Sequence, residues 1–199
     1  MSGKSVDMTP DRLETFTDGV IAIIITIMVL ELPLPKGESF AALVAEAPQF
    51  GAYALSFINV GIFWVNHHHM LQLAKRIDGR VLLANLFLLF SLSLVPWVIR
   101  WAGEAGMGTL PVAAYGVVLV LSSVGYLLVE RSIIAAEGQG SKLHRAVGSG
   151  RKEIISFLLY LVAVPLAFVW VWASIALYIL VALVWIVPDR RVEKEAEPD

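Results

Sequence analysis

The chain of 199 residues has no cysteine, which excludes disulfides, thiolate metal centres and cysteine nucleophiles. Charge is scarce too: 16% of residues are Asp, Glu, Lys or Arg, against about 25% in an ordinary soluble domain. Fifteen basic and 17 acidic residues give a formal net charge of -2, so no overall cationic field is available to hold a nucleic acid. No nucleotide loop, no Gly-x-Ser-x-Gly and no paired catalytic carboxylates occur, which points away from an enzyme and implies no cofactor. A cleavable leader is not expected either. The first apolar run starts late, is of full span length and carries Arg12, Glu14 and Asp18, so it reads as a helix retained in the mature protein.

What the chain has in abundance is apolar surface. Apolar residues make up 58% of it and the mean hydropathy is +0.75, so a lipid bilayer is the expected solvent. Crossing about 30 Å of hydrocarbon takes about 20 helical residues. Six runs meet that need, at about 12–32, 48–73, 81–101, 111–135, 153–170 and 173–187, and together they predict an all-α integral membrane domain over the whole chain. The last two come from one uncharged stretch, 154–187, which as a single helix would be about 51 Å long and overshoot the membrane. A turn near Trp170 to Ser174 is therefore expected, with Pro165 bending or shortening the fifth span.

The distribution of positive charge sets the orientation. With six spans, 13 of the 15 Lys and Arg residues fall on one side, Lys36 and Arg100 alone on the other, so both termini are expected in the cytoplasm. A five-span arrangement would place Arg190, Arg191 and Lys194 outside. Residues 36–47 suggest a short surface helix, 138–150 a flexible cytoplasmic loop, and 189–199 a charged cytoplasmic tail.

The first span carries the most information. Arg12, Phe16, Gly19, Ile23, Thr26 and Leu30 are spaced 4, 3, 4, 3 and 4 apart and share one helical stripe. If several copies met around an axis, Ile23 and Leu30 would form apolar rings, which gate by dewetting. Thr26 would form a ring of oxygens able to replace part of an ion's hydration shell. From spacing alone, packing or lipid contact is the favoured reading, with the threonine bonding its own i-4 carbonyl. Asp18 lies about 120° off this stripe. A carboxylate that deep in a membrane helix is costly and calls for a partner, so it is expected to hold the first span against a neighbour. Trp64, Asn66, His67, His68 and His69 in the second span supply candidates, one histidine pairing with Asp18 or Arg12. Three consecutive histidines point about 100° apart and lack the i, i+4 spacing of a zinc site, so no metal centre is expected. Glu31 ends the first span, where it can concentrate cations or simply meet the interface. Val124-Gly125-Tyr126 matches the Thr-Val-Gly-Tyr-Gly potassium filter only in part and lies within a full span.

Together, Arg12-x-x-x-Phe16-Thr17-Asp18-Gly19-Val20-x-Ala22-Ile23, then Thr26 and Leu30-Glu31-Leu32, and Phe63-Trp64-x-Asn66-His67-His68 resemble the prokaryotic homologues of the endo-lysosomal potassium channel. The motifs cover the first two spans; the other four agree in hydropathy only. The resemblance implies a six-helix subunit, four copies forming a homotetramer around a pore lined by the first helix. It also implies potassium as the permeant ion and the bacterial inner membrane as the location. The pore constriction maps onto Ile23, Thr26 and Leu30, with Ile27 sometimes among the pore aliphatics and potassium held only transiently at Thr26. A network joining the first two helices maps onto Arg12, Phe16, Asp18, Gly19, Trp64, Asn66, His67 and His68. Thr17 stands where serine is usual, and His69 where arginine is. Two other readings remain at this stage: a proton-coupled carrier using Asp18 and the histidines, and a membrane scaffold without transport.

Overall fold

The computed structural model describes residues 9–148 and 150–186. Lys4, the charged tail 189–199 with Arg190, Arg191 and Lys194, and the end of the expected sixth span lie outside the described residues. The described chain is helical: α1 (Pro10–Leu30), α2 (Phe40–Ala45), α3 (Ala47–Leu73), α4 (Gly79–Ser93), α5 (Val95–Glu104), α6 (Thr109–Glu137), α7 (Lys142–Val147), α8 (Arg151–Leu166) and α9 (Val171–Ile186).

Helix boundaries follow local chemistry. Proline opens α1, α3 and α5, where its missing N–H costs no helical bond. Asp78 caps α4 by accepting from Arg80 N and Val81 N at 2.9 and 3.0 Å. Ser39 and Ser141 do the same for the short helices α2 and α7. The surface helix α2 lies within the segment expected to form one. The 138–150 segment is more ordered than its glycines suggested, because α7 buries Leu143 and Ala146 in the bundle. Pro96 interrupts the expected third span, which divides into α4 and α5. The break between α8 and α9 falls at 167–170, ahead of the expected turn, with Pro165 inside the last turn of α8. Ser174 then ties the start of α9 back to α8 by donating to Ala163 O at 2.7 Å.

Among the described residues, three helical stretches are long and apolar enough to cross a membrane: Pro10–Leu30, Gly79–Glu104 and Thr109–Glu137; Val171–Ile186 is apolar and shorter. In the bundle, α6 packs against α4, α5, α8 and α9, and α1 lies across α3, α4 and α5. Close approach fixes the small residues. A Cβ on Gly125 would lie 2.8 Å from Leu88 Cα, and one on Gly116 would lie 2.2 Å from the Tyr178 hydroxyl. Tyr178 in turn donates to Val112 O at 3.1 Å. A buried polar set joins α3, α6 and α8. Ser56 and Asn59 donate to the Tyr115 hydroxyl at 3.1 and 3.2 Å, and Tyr160 donates to Asn59 Oδ1 at 3.3 Å. Each bond removes a polar group that hydrocarbon could not satisfy.

Candidate functional site: the two faces of helix α1

The two faces of α1 have opposite fates. Leu13, Thr17, Ile21, Ile24 and Met28 recur every three or four residues and are all buried against the bundle. On the other side, every member of the stripe is exposed: Arg12, Phe16, Gly19, Ile23, Thr26 and Leu30, with Ile27 beside them. Ile23 is 59% exposed and Leu30 80%, far more than an aliphatic helix residue leaves uncovered in a finished core. Gly19 has nothing within 4 Å of where a Cβ would sit, so its smallness serves no contact inside the subunit. Thr26 donates to its own helix, 3.0 Å from Ala22 O and 2.9 Å from Ile23 O. That back-bonding uses the hydroxyl hydrogen and leaves the oxygen lone pairs outward.

The buried side is held by two hydrogen-bonded chains. In the first, His67 Nε2 donates to Asn85 Oδ1 at 2.8 Å and Asn85 Nδ2 donates to Thr17 Oγ1 at 2.9 Å, joining α3, α4 and α1. All three side chains are buried. In the second, Gln72 Nε2 lies 2.8 Å from His68 Nε2, and His68 Nδ1 meets Glu14. A donated amide hydrogen from Gln72 fixes the His68 tautomer with its proton on Nδ1, facing the Glu14 carboxylate. Asp18, one turn further along α1, accepts from Trp64 Nε1 at 2.8 Å, and Trp64 stacks on His68 with ring centroids 6.1 Å apart.

The network differs in detail from the expected one. Asp18 points off the stripe toward α3 and meets Trp64, a member of the network that the motifs implied, whereas the histidines take Asn85 and Glu14 instead of Asp18 or Arg12. Arg12 is exposed and, among the described residues, forms no ion pair within the subunit. Phe16 and Gly19 lie on the exposed stripe, and Asn66 donates to Ile62 O of its own helix at 2.8 Å. Thr17 of the motif and Glu14, Gln72 and Asn85, to which the sequence assigned no contact, complete the network. A signal for one pair was present: Glu14 and Asp18 are four apart, as are Trp64 and His68, so two antiparallel helices match them pairwise. At the far end of α1, Arg100 of α5 reaches Glu31 at 3.3 Å and Glu104 at 3.0 Å, so the Glu31 charge is partly offset. Among the described residues no group of three or more His, Cys, Asp or Glu is placed to hold a metal ion.

A helical bundle with spanning apolar helices and one helix pinned on one face and bare on the other defines a polytopic membrane protein. The sequence profile described as "Endosomal/lysosomal potassium channel TMEM175" matches residues 12–96. A Chryseobacterium protein named a potassium channel is 49% identical over 187 residues, covering 94% of this chain and 97% of the relative. A Streptomyces collinus protein, also named a potassium channel, is 31% identical over 192 residues, covering 86% of this chain and 89% of the relative. The crystal structure of a lysosomal potassium-selective channel TMEM175 homolog from Chamaesiphon minutus matches in fold with a TM-score of 0.77 at 24% identity, over 90% of this chain and 97% of that one. The chain belongs to the TMEM175 family.

Proposed function

We propose that this chain is a potassium-preferring cation channel whose pore is lined by the exposed stripe of α1 in a homotetramer. The exposed stripe carries the reading. A single subunit leaves Ile23, Ile27 and Leu30 uncovered while Thr17, Asp18 and Glu14 lock the opposite face, so α1 is presented rigidly to something outside the subunit. Four copies around an axis turn Ile23 and Leu30 into apolar constrictions that dewet when narrow. Between them Thr26 becomes a layer of four hydroxyl oxygens facing the ion path, their hydrogens already donated to the helix backbone. Lone pairs without competing donors are the chemistry a partly dehydrated potassium ion requires. The names of the family's bacterial members agree with this assignment.

The same reading assigns six spans per subunit, α1, α3, α4 with α5, α6, α8 and α9, and places the subunit in the bacterial inner membrane. The end bearing α7 and the Lys75–Arg80 turn carries the basic residues and faces the cytoplasm. Helices α8 and α9, at 16 residues each, are short for a bilayer and fit a tilted or locally thinned position beside α6. The test is to make the constriction polar. Ile23→Asn or Leu30→Asn in reconstituted protein is expected to raise basal cation leak by keeping the constriction wet. Unchanged leak in both would place the stripe against protein or lipid and remove it from the ion path.

A further inference from the structure

Between α3, α5, α6 and α9, with no residue from α1, lies an apolar cavity of about 350 Å³. Its inner walls are the side chains of Val98 and Ile99 from α5 and Val112 from α6, all buried. Its mouth lies at the surface and is formed by Pro48 and Gly51 of α3 with Trp172 and Ile179 of α9, all four exposed. Helical periodicity gives this opening its shape. Pro48, Gly51 and Leu55 are spaced 3 and 4 apart on α3, and Trp172, Ile175 and Ile179 likewise on α9, so each set is a stripe along its helix. Seven residues at 1.5 Å rise make the crevice about 10 Å long, parallel to the helices and running inward from their first turns.

The polar groups at the inner end are spent within the protein. Ser56 donates to the Tyr115 hydroxyl at 3.1 Å, and Tyr178 donates to Val112 O at 3.1 Å. A water entering the cavity would find too few partners to stay, since a buried water makes about three hydrogen bonds. An apolar void left empty costs stability in proportion to its volume, and one of about 150 Å³ already takes up a benzene. A void more than twice that size calls for an apolar guest. The mouth leaves room for one: a Cβ on Gly51 would meet nothing within 4 Å, so the glycine packs against no part of the subunit.

We propose that this cavity is a binding site for an acyl chain of an outer-leaflet phospholipid, which enters between α3 and α9. The inference rests on α3 and α9 being spans, as assigned above, and is indifferent to the ion path. Once they span, hydrocarbon is the medium at the mouth, and the crevice runs as lipid chains do, from the interface toward the membrane centre. Trp172 stands at its entrance, where an indole sits between headgroups and chains. This end of the bundle lies opposite the basic turn at 75–80, which places it in the outer leaflet. A seated chain fills the gap between α9 and the α3–α5 pair, so lipid as well as protein holds α9 to the bundle.

Photolabelling reads the site. Full-length protein is placed in phosphatidylcholine vesicles containing a phosphatidylcholine with a diazirine near the end of one acyl chain, then illuminated, digested and mapped by mass spectrometry. Wild-type adducts are expected on buried Ile99 and Val112, which a chain reaches through the cavity, as well as on the outward residues Ile179 and Leu158. Ala52→Phe fills the cavity from its α3 wall, and Gly51→Leu narrows the mouth. Both are expected to lose the Ile99 and Val112 adducts and to keep the one on Leu158. Should Ala52→Phe fail to fold, Gly51→Leu decides, since a Cβ there meets nothing. Label on Leu158 and Ile179 without Ile99 or Val112 overturns the proposal and leaves the spans intact; it means a cavity that is empty or covered by a second subunit. Interior adducts that persist in the folded variants overturn it as well. A protein unlabelled at Ile179 and Leu158 removes the spans, and the site with them.

Discussion

Replacing Asn85 with leucine tests how α1 is held. Leucine keeps the branched four-atom skeleton of asparagine, so no cavity opens and the loss is mainly the two bonds, His67 to Asn85 and Asn85 to Thr17. Side-chain bonds between helices in membranes average about 0.6 kcal/mol and reach about 1.7, so the pair contributes roughly 1–3 kcal/mol. Thr17 can turn its hydroxyl to a carbonyl of its own helix and suffers little. His67 is 1% exposed and keeps a buried N–H without an acceptor. That orphaned donor adds about 1–3 kcal/mol, for a total of roughly 2–6 kcal/mol. At about 2–4 °C per kcal/mol for a chain of this size, melting followed by tryptophan fluorescence should drop by roughly 4–24 °C. Thr17→Val, which removes one bond, should cost about 0.6–1.7 kcal/mol. Added to Asn85→Leu it should cost almost nothing, because its partner is already gone. An Asn85→Leu protein that melts with the wild type, or a double variant whose losses add fully, would refute the idea that one connected chain pins α1.

Two more predictions concern smaller changes. Thr26→Ala is expected to lower the potassium-to-sodium permeability ratio more than the single-channel conductance, and an unchanged ratio from bi-ionic recordings would remove the hydroxyl layer from selectivity. Gly125→Ala drives a methyl to 2.8 Å from the Leu88 backbone and is expected to destabilise by about 1–3 kcal/mol. Gly19→Ala meets nothing within 4 Å inside the subunit and puts a better helix former in α1, so its melting temperature should match or exceed the wild type when subunit assembly is prevented; equal losses for the two glycines would contradict the packing described.

The sequence exposed some of this arrangement and concealed the rest for physical reasons. The stripe on α1 was legible because helical periodicity is a local property, and a break within 154–187 because an uncharged stretch of that length cannot remain one span. The kink between α4 and α5 was signalled by Pro96, but hydropathy ran straight through it. Partners were harder. The costly Asp18 demanded a partner from α3, yet whether Trp64 or a histidine met it depended on the rotation of α3, which hydropathy does not fix. Asn85 stood alone in an apolar helix, a signal that some buried group must meet it, but its bridge from α3 to α1 exists only once three helices are assembled.

The central claim is that potassium crosses the membrane along the α1 stripe. Purified protein in a planar bilayer, with potassium on one side and sodium on the other at equal concentration, tests it in one recording. Current reversing on the potassium side of zero, with the reversal potential moving toward zero in Thr26→Ala, is the predicted result. A folded, inserted protein whose current reverses at zero, or whose reversal ignores Thr26, or which stays silent even as Ile23→Asn and Leu30→Asn, would contradict the account.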